Sequence, residues 1–198
     1  MKKRAKKTLA VFACTVLLIS AAATSAYASG YELLEHIIDT PIAFIPHSGF
    51  NSTSVTHMNE AVGKWNTVIG ESAMYIVSSQ THSESTGYPS KDGLNYIYRM
   101  DVGEDYLAQC SYWWNGLTGK LTQCDININM YYSWANGAAQ NCYDLYSVFL
   151  HETGHTAGLA DIYDDTYQSV VMYGYSDPNT TKRNLTSYDI AGINELYN

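Results

Sequence analysis

Helical and strand-like patterns of apolar residues alternate along the chain after about residue 40. Between Ser54 and Val68, apolar residues recur every three or four positions, which predicts an amphipathic helix. A second helix is predicted from Tyr143 to Leu159, with Gly158 placed to end it. Five shorter runs predict strands: Pro41–Ile45, Met74–Val77, Asn95–Met100, Tyr106–Ser111 and Thr122–Ile128.

The order of these elements indicates an α+β (mixed α/β) fold built on a five-stranded, mixed, twisted sheet. Only the first two strands are separated by a helix, so we expect them to be parallel neighbours, because parallel strands need a long crossover connection. The turn Asn115–Gly119 separates the last two strands and predicts a hairpin with one antiparallel edge strand. We find no internal repeat and no linker, so residues 29–198 are expected to form one domain.

The N-terminal segment has the pattern of a targeting signal. Basic residues at its start precede an apolar stretch, Leu9–Ala23, and the small-x-small motif Ala26-Tyr27-Ala28 follows. This pattern predicts a signal peptide, residues 1–28, that is removed from a secreted, extracellular protein. The alternative is a membrane anchor, but the apolar run is shorter than the roughly 18 residues that a spanning helix needs. We therefore expect no stable membrane association.

Removal of this segment leaves a strongly acidic chain. Five of the 11 basic residues and none of the 19 acidic residues lie in it, so the remaining chain has a formal net charge of −13. This charge argues against nucleic acid as a partner, because nucleic-acid binding relies on basic surfaces. The remaining length of about 170 residues is that of one ordinary domain with its own core, and we expect a monomer.

Three cysteines remain after the signal peptide, so at most one disulfide can form within the chain. Cys110 and Cys124 are equidistant from Leu117, and a hairpin folded there would place them opposite each other. Cys124 with Cys142 is the rival pairing, and buried free thiols are a further alternative. A metal role is not expected for these cysteines, because no C-x-x-C spacing occurs.

The second predicted helix carries the motif H-E-x-x-H. His151 and His155 are four residues apart and therefore share one helix face, where two imidazoles can bind one cation. Glu152 is placed to act as general base on a water molecule at that cation. Gly158 lets the chain leave the helix and turn back, which places Asp161 as a third ligand.

This motif is unlikely to occur in the sequence by chance. With this chain's own composition, H-E-x-x-H is expected by chance in roughly 0.7% of sequences, before its position on a helix is considered. We therefore interpret it as a metal site. The remaining histidines carry no such spacing and are interpreted as ordinary core or surface residues: His36, His47, His57 and His82.

The segment HETGHTAGLAD resembles the H-E-x-x-H-x-x-G-x-x-H/D signature of the metzincin metallopeptidases. Asp161 occupies the position that is more often histidine, a variant familiar from the snapalysin-like branch. Met172 matches the methionine of the Met-turn in that family. LTSYDIAGINELYN resembles the closing helix of matrixins, and LTQCDININ resembles the strand before their active-site helix. The chain thus resembles a secreted, bacterial, matrixin-like metzincin.

The resemblance implies a fold, a cofactor and a reaction. It implies a catalytic domain with a C-terminal helix and one catalytic Zn²⁺. The zinc ligands would be His151, His155 and Asp161, Glu152 would be the base, and Met172 would form an apolar floor without binding metal. Tyr173 and Tyr175 would line a substrate pocket, with surface packing as the alternative. The implied activity is that of a zinc endopeptidase acting on extracellular proteins or peptides.

Some family features do not carry over. Gly174 stands where astacins and serralysins have a tyrosine ligand, and no cysteine-switch segment is present, so latency by a propeptide thiol is not implied. Asp164 and Asp165 could bind Ca²⁺, but a solvated acidic loop is the favoured interpretation. The alternative function is a non-catalytic, zinc-stabilised binding or adhesion module on the same fold. Glu152 argues against that module, because a structural zinc site needs no base.

Overall fold

The computed structural model describes residues 30–198 in full and, before them, only the backbone of residues 10–11 and 13–15. The predicted cleavage site after Ala28 lies outside the described residues. The helices are α1 Ser52–Ile69, α2 Leu145–Thr156 and α3 Ser187–Tyr197, with a 3-10 turn at Asp165–Tyr167. The strands are β1 Ala10–Val11, β2 Ala13–Thr15, β3 Glu32–Leu33, β4 Ile42–Pro46, β5 Met74–Ile76, β6 Asn95–Met100, β7 Ala108–Asn115, β8 Lys120–Asn129, β9 Trp134–Ala135, β10 Tyr143–Asp144, β11 Leu159–Ala160 and β12 Tyr175–Ser176.

The central sheet has the strand order β2-β7-β8-β6-β4-β5. Five of these strands lie within residues 30–198 and confirm the predicted mixed sheet: β5, β4, β6 and β8 are parallel, and β7 is antiparallel to β8. Helix α1 joins the parallel neighbours β4 and β5, as the pattern predicted. Strand β2 adds a short sixth strand that pairs in parallel with the outer edge of β7.

Helix α1 is fixed at both ends and packs against α2. Asn51 caps its N-terminus by accepting a hydrogen bond from the Ser54 amide at 2.8 Å, and Gly70 ends it with φ of +86°. Its buried stripe includes Trp65, whose indole N–H donates to the Leu150 carbonyl of α2 at 2.9 Å. This contact joins the two helices on one face of the sheet.

Helix α2 is buried along its whole length. It begins at Leu145, two residues later than the sequence predicted, because Tyr143–Asp144 pairs with β9 and the Asp144 carboxylate caps the helix by accepting from the Ser147 amide at 3.2 Å. Arg183 donates to the same carboxylate and neutralises it. The helix therefore runs through the middle of the domain, where its side chains are shielded from water. No helix in the described part of the chain is long and apolar enough to cross a membrane.

The β7–β8 hairpin forms at the predicted turn, but its register differs from the prediction. The turn is closed by the pair Asn115–Lys120, one residue off the predicted register, and a β-bulge between Trp113 and Trp114 adds a second residue. Cys110 therefore lies opposite Ile126, and Tyr112 lies opposite Cys124. Cys110 and Cys124 are consequently diagonal neighbours, not direct partners. Their thiol sulfurs are nevertheless 3.2 Å apart in the buried core.

The predicted disulfide is not formed in this structure. No S–S bond joins Cys110, Cys124 or the half-buried Cys142 in the described part of the chain. The contact between the sulfurs of Cys110 and Cys124 favours that pair over the rival pairing of Cys124 with Cys142. The disulfide therefore stays a prediction.

The two faces of β8 differ, as the alternation of LTQCDININ indicates. The apolar positions contact the helix layer, and Cys124 meets Thr156 of α2 with Sγ and Oγ1 3.2 Å apart. On the opposite face the polar side chains are buried beneath loops: Gln123, Asp125, Asn127 and Asn129. Their oxygens accept hydrogen bonds from loop amides, which keeps these buried polar groups satisfied.

Asp125 is the ionisable member of this polar face. Its carboxylate accepts from the amides of Tyr96 at 3.0 Å and Ser90 at 3.1 Å. Burial nevertheless raises the pKa of Asp125 from 3.8 to about 6. Since a raised pKa means that the folded state binds the proton more tightly than the unfolded chain, ionisation of Asp125 lowers stability as the pH rises through this interval.

Asp125→Asn should therefore change the pH dependence of folding. Wild type loses stability as Asp125 ionises and the variant does not, so the variant should gain about 2 to 3 kcal/mol of stability relative to wild type between about pH 4 and pH 7. This is the value of a two-unit pKa shift. Urea unfolding across this range measures the difference, and Asp177→Asn controls for loss of an exposed carboxylate. A difference that does not vary with pH would contradict the assignment.

Candidate metal centre

The imidazole rings of His151 and His155 are held from behind by backbone carbonyls. Nδ1 of His151 donates to the Val171 carbonyl and Nδ1 of His155 donates to the Leu159 carbonyl, each at 2.8 Å. Because Nδ1 carries the proton in each bond, Nε2 of each neutral ring presents a lone pair. The ring centroids are 4.8 Å apart and the rings are nearly perpendicular. Both Nε2 atoms can therefore bind one cation.

Asp161 completes a cluster of three ligand atoms. Its Oδ1 lies 3.0 Å from Nε2 of His151 and 3.6 Å from Nε2 of His155. The three ligand atoms all lie within 4.8 Å of one another, as the sequence predicted for these residues. The hydroxyl of Tyr163 donates to the other carboxylate oxygen, Oδ2, at 3.1 Å and so orients Asp161.

The turn at Gly158 brings Asp161 back to the helix. Gly158 has φ of +99°, a left-handed conformation that strains any other residue, and a Cβ there would collide with the His36 carbonyl. The next residues form β11, which pairs with β3, and the Leu34 amide donates to the Gly158 carbonyl at 2.7 Å. The N-terminal segment thus holds the chain just before the third ligand.

The electrostatics of the cluster reflect its burial. Burial, together with neighbouring His151, lowers the pKa of His155 to about 4, so its ring is neutral at physiological pH. Burial and the nearby charge of Asp161 raise the pKa of Glu152 well above its usual range. Burial also acts to raise the pKa of Asp161, but the two histidines outweigh it and the pKa falls below its ordinary value.

Comparison with known proteins identifies the family. The sequence profile of the family described as Matrixin matches residues 43–198, which is most of the chain.

This chain belongs to the matrixin family.

The resemblance found in the sequence is thereby confirmed at the family level, while the snapalysin-like origin of Asp161 stays a prediction. Metalloendoproteinase 1 of Glycine max is 26% identical over 167 residues, covering 78% of this chain and 49% of that protein. Metalloendoproteinase 1-MMP of Arabidopsis thaliana is 41% identical over 61 residues, covering 31% of this chain and 16% of that protein. This matrixin therefore spans about half the length of the first relative, and its match to the second is shorter.

Comparison with solved structures also returns a zinc-protease. High choriolytic enzyme 1, a hatching enzyme zinc-protease from Oryzias latipes, matches with a TM-score of 0.43 and 15% sequence identity. The match covers 89% of this chain and 98% of that chain.

The cluster fits the zinc ion that matrixin membership implies. Two imidazoles and a carboxylate are ligands that zinc accepts, and three protein ligands leave one position open. Nε2 of His155 and both oxygens of Glu152 are buried, and no side chain among the described residues forms a hydrogen bond with them. Buried polar atoms of this kind each cost about 1 to 3 kcal/mol unless a ligand satisfies them. The donors are therefore suited to a cation and its water.

Met172 lies directly beneath the helix of the matrixin motif. It is buried, and a Cβ on Gly154 would collide with its sulfur. Glycine at this position of H-E-x-x-H lets the methionine approach the helix backbone. Met172 thus packs against the backbone of the helix between the two histidines, and its role as an apolar floor of the site stays a prediction.

Asp189 supports the same turn and was missed by sequence reasoning. This buried residue of α3 accepts hydrogen bonds from the amides of Val171 and Met172, each at 3.3 Å. It also forms a capping box with Thr186 at the start of α3. The T-x-x-D spacing signals the cap in the sequence, but nothing in the sequence shows that the carboxylate also holds the turn.

Tyr173 and Tyr175 line a cavity of about 530 Å³ beyond this turn. Tyr173 is buried and donates its hydroxyl to Asp165 at 2.5 Å, while the Lys182 ammonium lies 4.8 Å from its ring centroid. Tyr175 lies on β12 and packs against the ring of Tyr163. The predicted pocket residues therefore do border a cavity, with Tyr175 joining it to the residue that orients Asp161.

The other residues singled out in the sequence lie outside the cluster. Asp164 accepts from the Thr166 amide and caps the 3-10 turn, and within the described residues no second group of three metal-binding side chains occurs. His36 is buried, and its Nε2 donates to the His155 carbonyl at 3.0 Å. It therefore supports the end of the metal-binding helix, a role that its isolated position in the sequence did not indicate.

Asp161→Ala should remove the third ligand, so zinc content and melting temperature should both fall. Asp161→His, which supplies the commoner ligand of metzincins, should recover zinc. Metal analysis and thermal unfolding of the purified variants measure both effects. Asp177→Ala is the control, because it removes an exposed carboxylate that lies outside the cluster. Full zinc in Asp161→Ala would show that the third ligand has been misassigned, with Tyr163 or Asp164 as replacement.

Proposed function

We propose that this matrixin is a secreted, zinc-dependent endopeptidase that hydrolyses peptide bonds in extracellular proteins. The observation that carries the proposal is the convergence of His151, His155 and Asp161 beside the buried carboxylate of Glu152, which no side chain neutralises. A site built only to hold metal has no use for that carboxylate. The printed names of the two plant relatives, both metalloendoproteinases, support the same activity.

In the proposed mechanism, three residues bind the metal and a fourth, Glu152, transfers the proton. His151, His155 and Asp161 would hold the zinc ion, which when bound supplies Lewis acidity for the attack of water at neutral pH. Glu152 accepts a proton from the attacking water and returns it to the nitrogen of the leaving amine. The carbonyls of Val171 and Leu159 keep both imidazoles in the tautomer that binds metal. Burial of Glu152 keeps bulk water away from the proton that it carries.

An extended peptide is the substrate that the surrounding backbone favours. Strand β2 pairs with Gln109–Ser111 of β7, and β1 pairs in antiparallel fashion with β12. The edges of β7 and β12 thus both accept an extended chain by strand addition. The cavity lined by Tyr173 and Tyr175 adjoins β12 and would receive a substrate side chain. Extended protein segments, and not nucleic acid, are therefore the proposed partners.

Secretion is proposed from the N-terminal pattern alone. Cleavage after Ala28 would release residues 29–198 as a single, monomeric catalytic domain without stable membrane association. Sequencing of the N-terminus of the protein recovered from the culture medium tests this. A protein that stays with the cells and keeps residues 1–28 would contradict it.

Glu152→Ala should abolish proteolysis while leaving the metal centre in place. Because Glu152 acts on water and is not a metal ligand, zinc content and melting temperature should stay near wild type, while casein hydrolysis falls by at least about 10²-fold. Glu60→Ala, an exposed glutamate on α1, is the control. The chelator 1,10-phenanthroline should stop wild-type hydrolysis, and zinc should restore it.

The same assay separates the two function classes. If zinc-loaded wild type cleaves no unfolded protein, the binding or adhesion module becomes the better assignment. If Glu152→Ala keeps full activity, the hydrolytic mechanism is wrong.

A further inference from the structure

A second cavity lies away from the metal centre, at the carboxyl ends of the parallel strands. Strand β4 has two neighbours in the sheet. Strand β5, which follows β4 through α1, lies on one side of it, and β6 and then β8 lie on the other side. The strand order therefore reverses between β4 and β6, and open sheets commonly bind ligands in the crevice at such a point. A cavity of about 200 Å³ occupies this crevice. Gly49, Phe50, Asn51 and Ser54 border it after β4, and Arg99 borders it near the end of β6.

Arg99 is the charged residue of this cavity, and it has no acidic partner. Its guanidinium makes no hydrogen bond and no ion pair with any residue that the structure describes, and its Nε is shielded from solvent. The residue is only partly exposed, and the guanidinium carbon lies 5.3 Å from the ring centroid of Phe50. A shielded, unsatisfied guanidinium N–H costs free energy unless a ligand accepts from it.

The absence of a partner is informative in so acidic a chain. Residues 29–198 contain 19 acidic and six basic residues, and the other arginine, Arg183, is paired with Asp144. None of the residues that line the cavity is acidic. No described acidic residue therefore compensates the positive charge of Arg99.

The rest of the cavity wall also favours a negative charge. The first turn of the 18-residue helix α1 borders it, and this turn carries no acidic residue. The Ser54 amide is already used by the Asn51 cap, but the positive end of the helix dipole still favours a nearby anion. Gly49 leaves room for the guanidinium, because a Cβ there would collide with Nη1 of Arg99.

We propose that this crevice binds a small inorganic oxyanion of the phosphate or sulfate type. Arg99 would donate to two of its oxygens from one edge of the planar guanidinium, and the start of α1 would contribute the positive end of its dipole. The volume of about 200 Å³ suits a tetrahedral anion with a few waters and is small for a larger organic ligand. The metal centre takes no part in this site, so the proposal stands independently of the proposed peptidase activity.

Calorimetric titration of the zinc-loaded protein with potassium phosphate tests the site, at a constant ionic strength set with potassium chloride. Wild type should show one saturable site, and Arg99→Gln should weaken it roughly tenfold or more, the value of a charge-assisted hydrogen bond. Lys91→Gln, which removes an exposed cation elsewhere, should leave the affinity unchanged. Sulfate in place of phosphate shows whether the site selects between the two ions.

A second variant tests the same site in case Arg99→Gln impairs folding. Gly49→Ala keeps every charge but occupies the space of the guanidinium, so it too should weaken phosphate binding while zinc content and casein hydrolysis stay near wild type. Any phosphate bound at the zinc ion would persist in both variants and is thereby separated from the proposed site. Absence of binding by wild type, or equal affinity in wild type, Arg99→Gln and Gly49→Ala, would overturn the proposal.

Discussion

The hydrogen bonds from Nδ1 of His151 and His155 to backbone carbonyls are the interactions on which the metal centre depends. They fix the tautomer of each imidazole and direct both Nε2 atoms towards Asp161. The two carbonyls belong to different segments, since Leu159 follows the helix directly and Val171 precedes Met172 in the next turn. The metal centre therefore requires both segments after α2 to be in place at once.

These two segments are held by contacts that reach across the domain. Gly158 allows the chain to reverse, and β3 pairs with the strand that follows it. Asp189 of α3 holds the amides before and at Met172, and Gly154 lets that methionine pack against the helix. A buried helix, a glycine turn and a C-terminal capping residue thus act together on one cation site. The ligands come from 11 residues of sequence, but their geometry depends on most of the domain.

The sequence was sufficient for the parts of the site that depend on local spacing. Four-residue spacing places His151 and His155 on one helix face, and the glycine turn positions Asp161. Reasoning from spacing failed where details of the hairpin decide: the position of the turn and the bulge in β7–β8 together moved Cys110 away from direct opposition to Cys124. The contact between Tyr163 and Asp161 and the role of Asp189 likewise join elements whose proximity no periodic pattern shows. The strand order that creates the Arg99 crevice is also a property of the assembled sheet.

The central claim is that zinc in this matrixin is held by two imidazoles and one carboxylate. X-ray absorption spectroscopy at the zinc edge of the purified, metal-loaded protein tests that ligand set directly. We expect a shell of nitrogen and oxygen atoms at about 2.0 to 2.2 Å, with the outer-shell scattering of two imidazole rings. In Asp161→His the imidazole scattering should increase to that of three rings. Three imidazoles in the wild-type spectrum, or a sulfur at about 2.3 Å, would contradict the assignment.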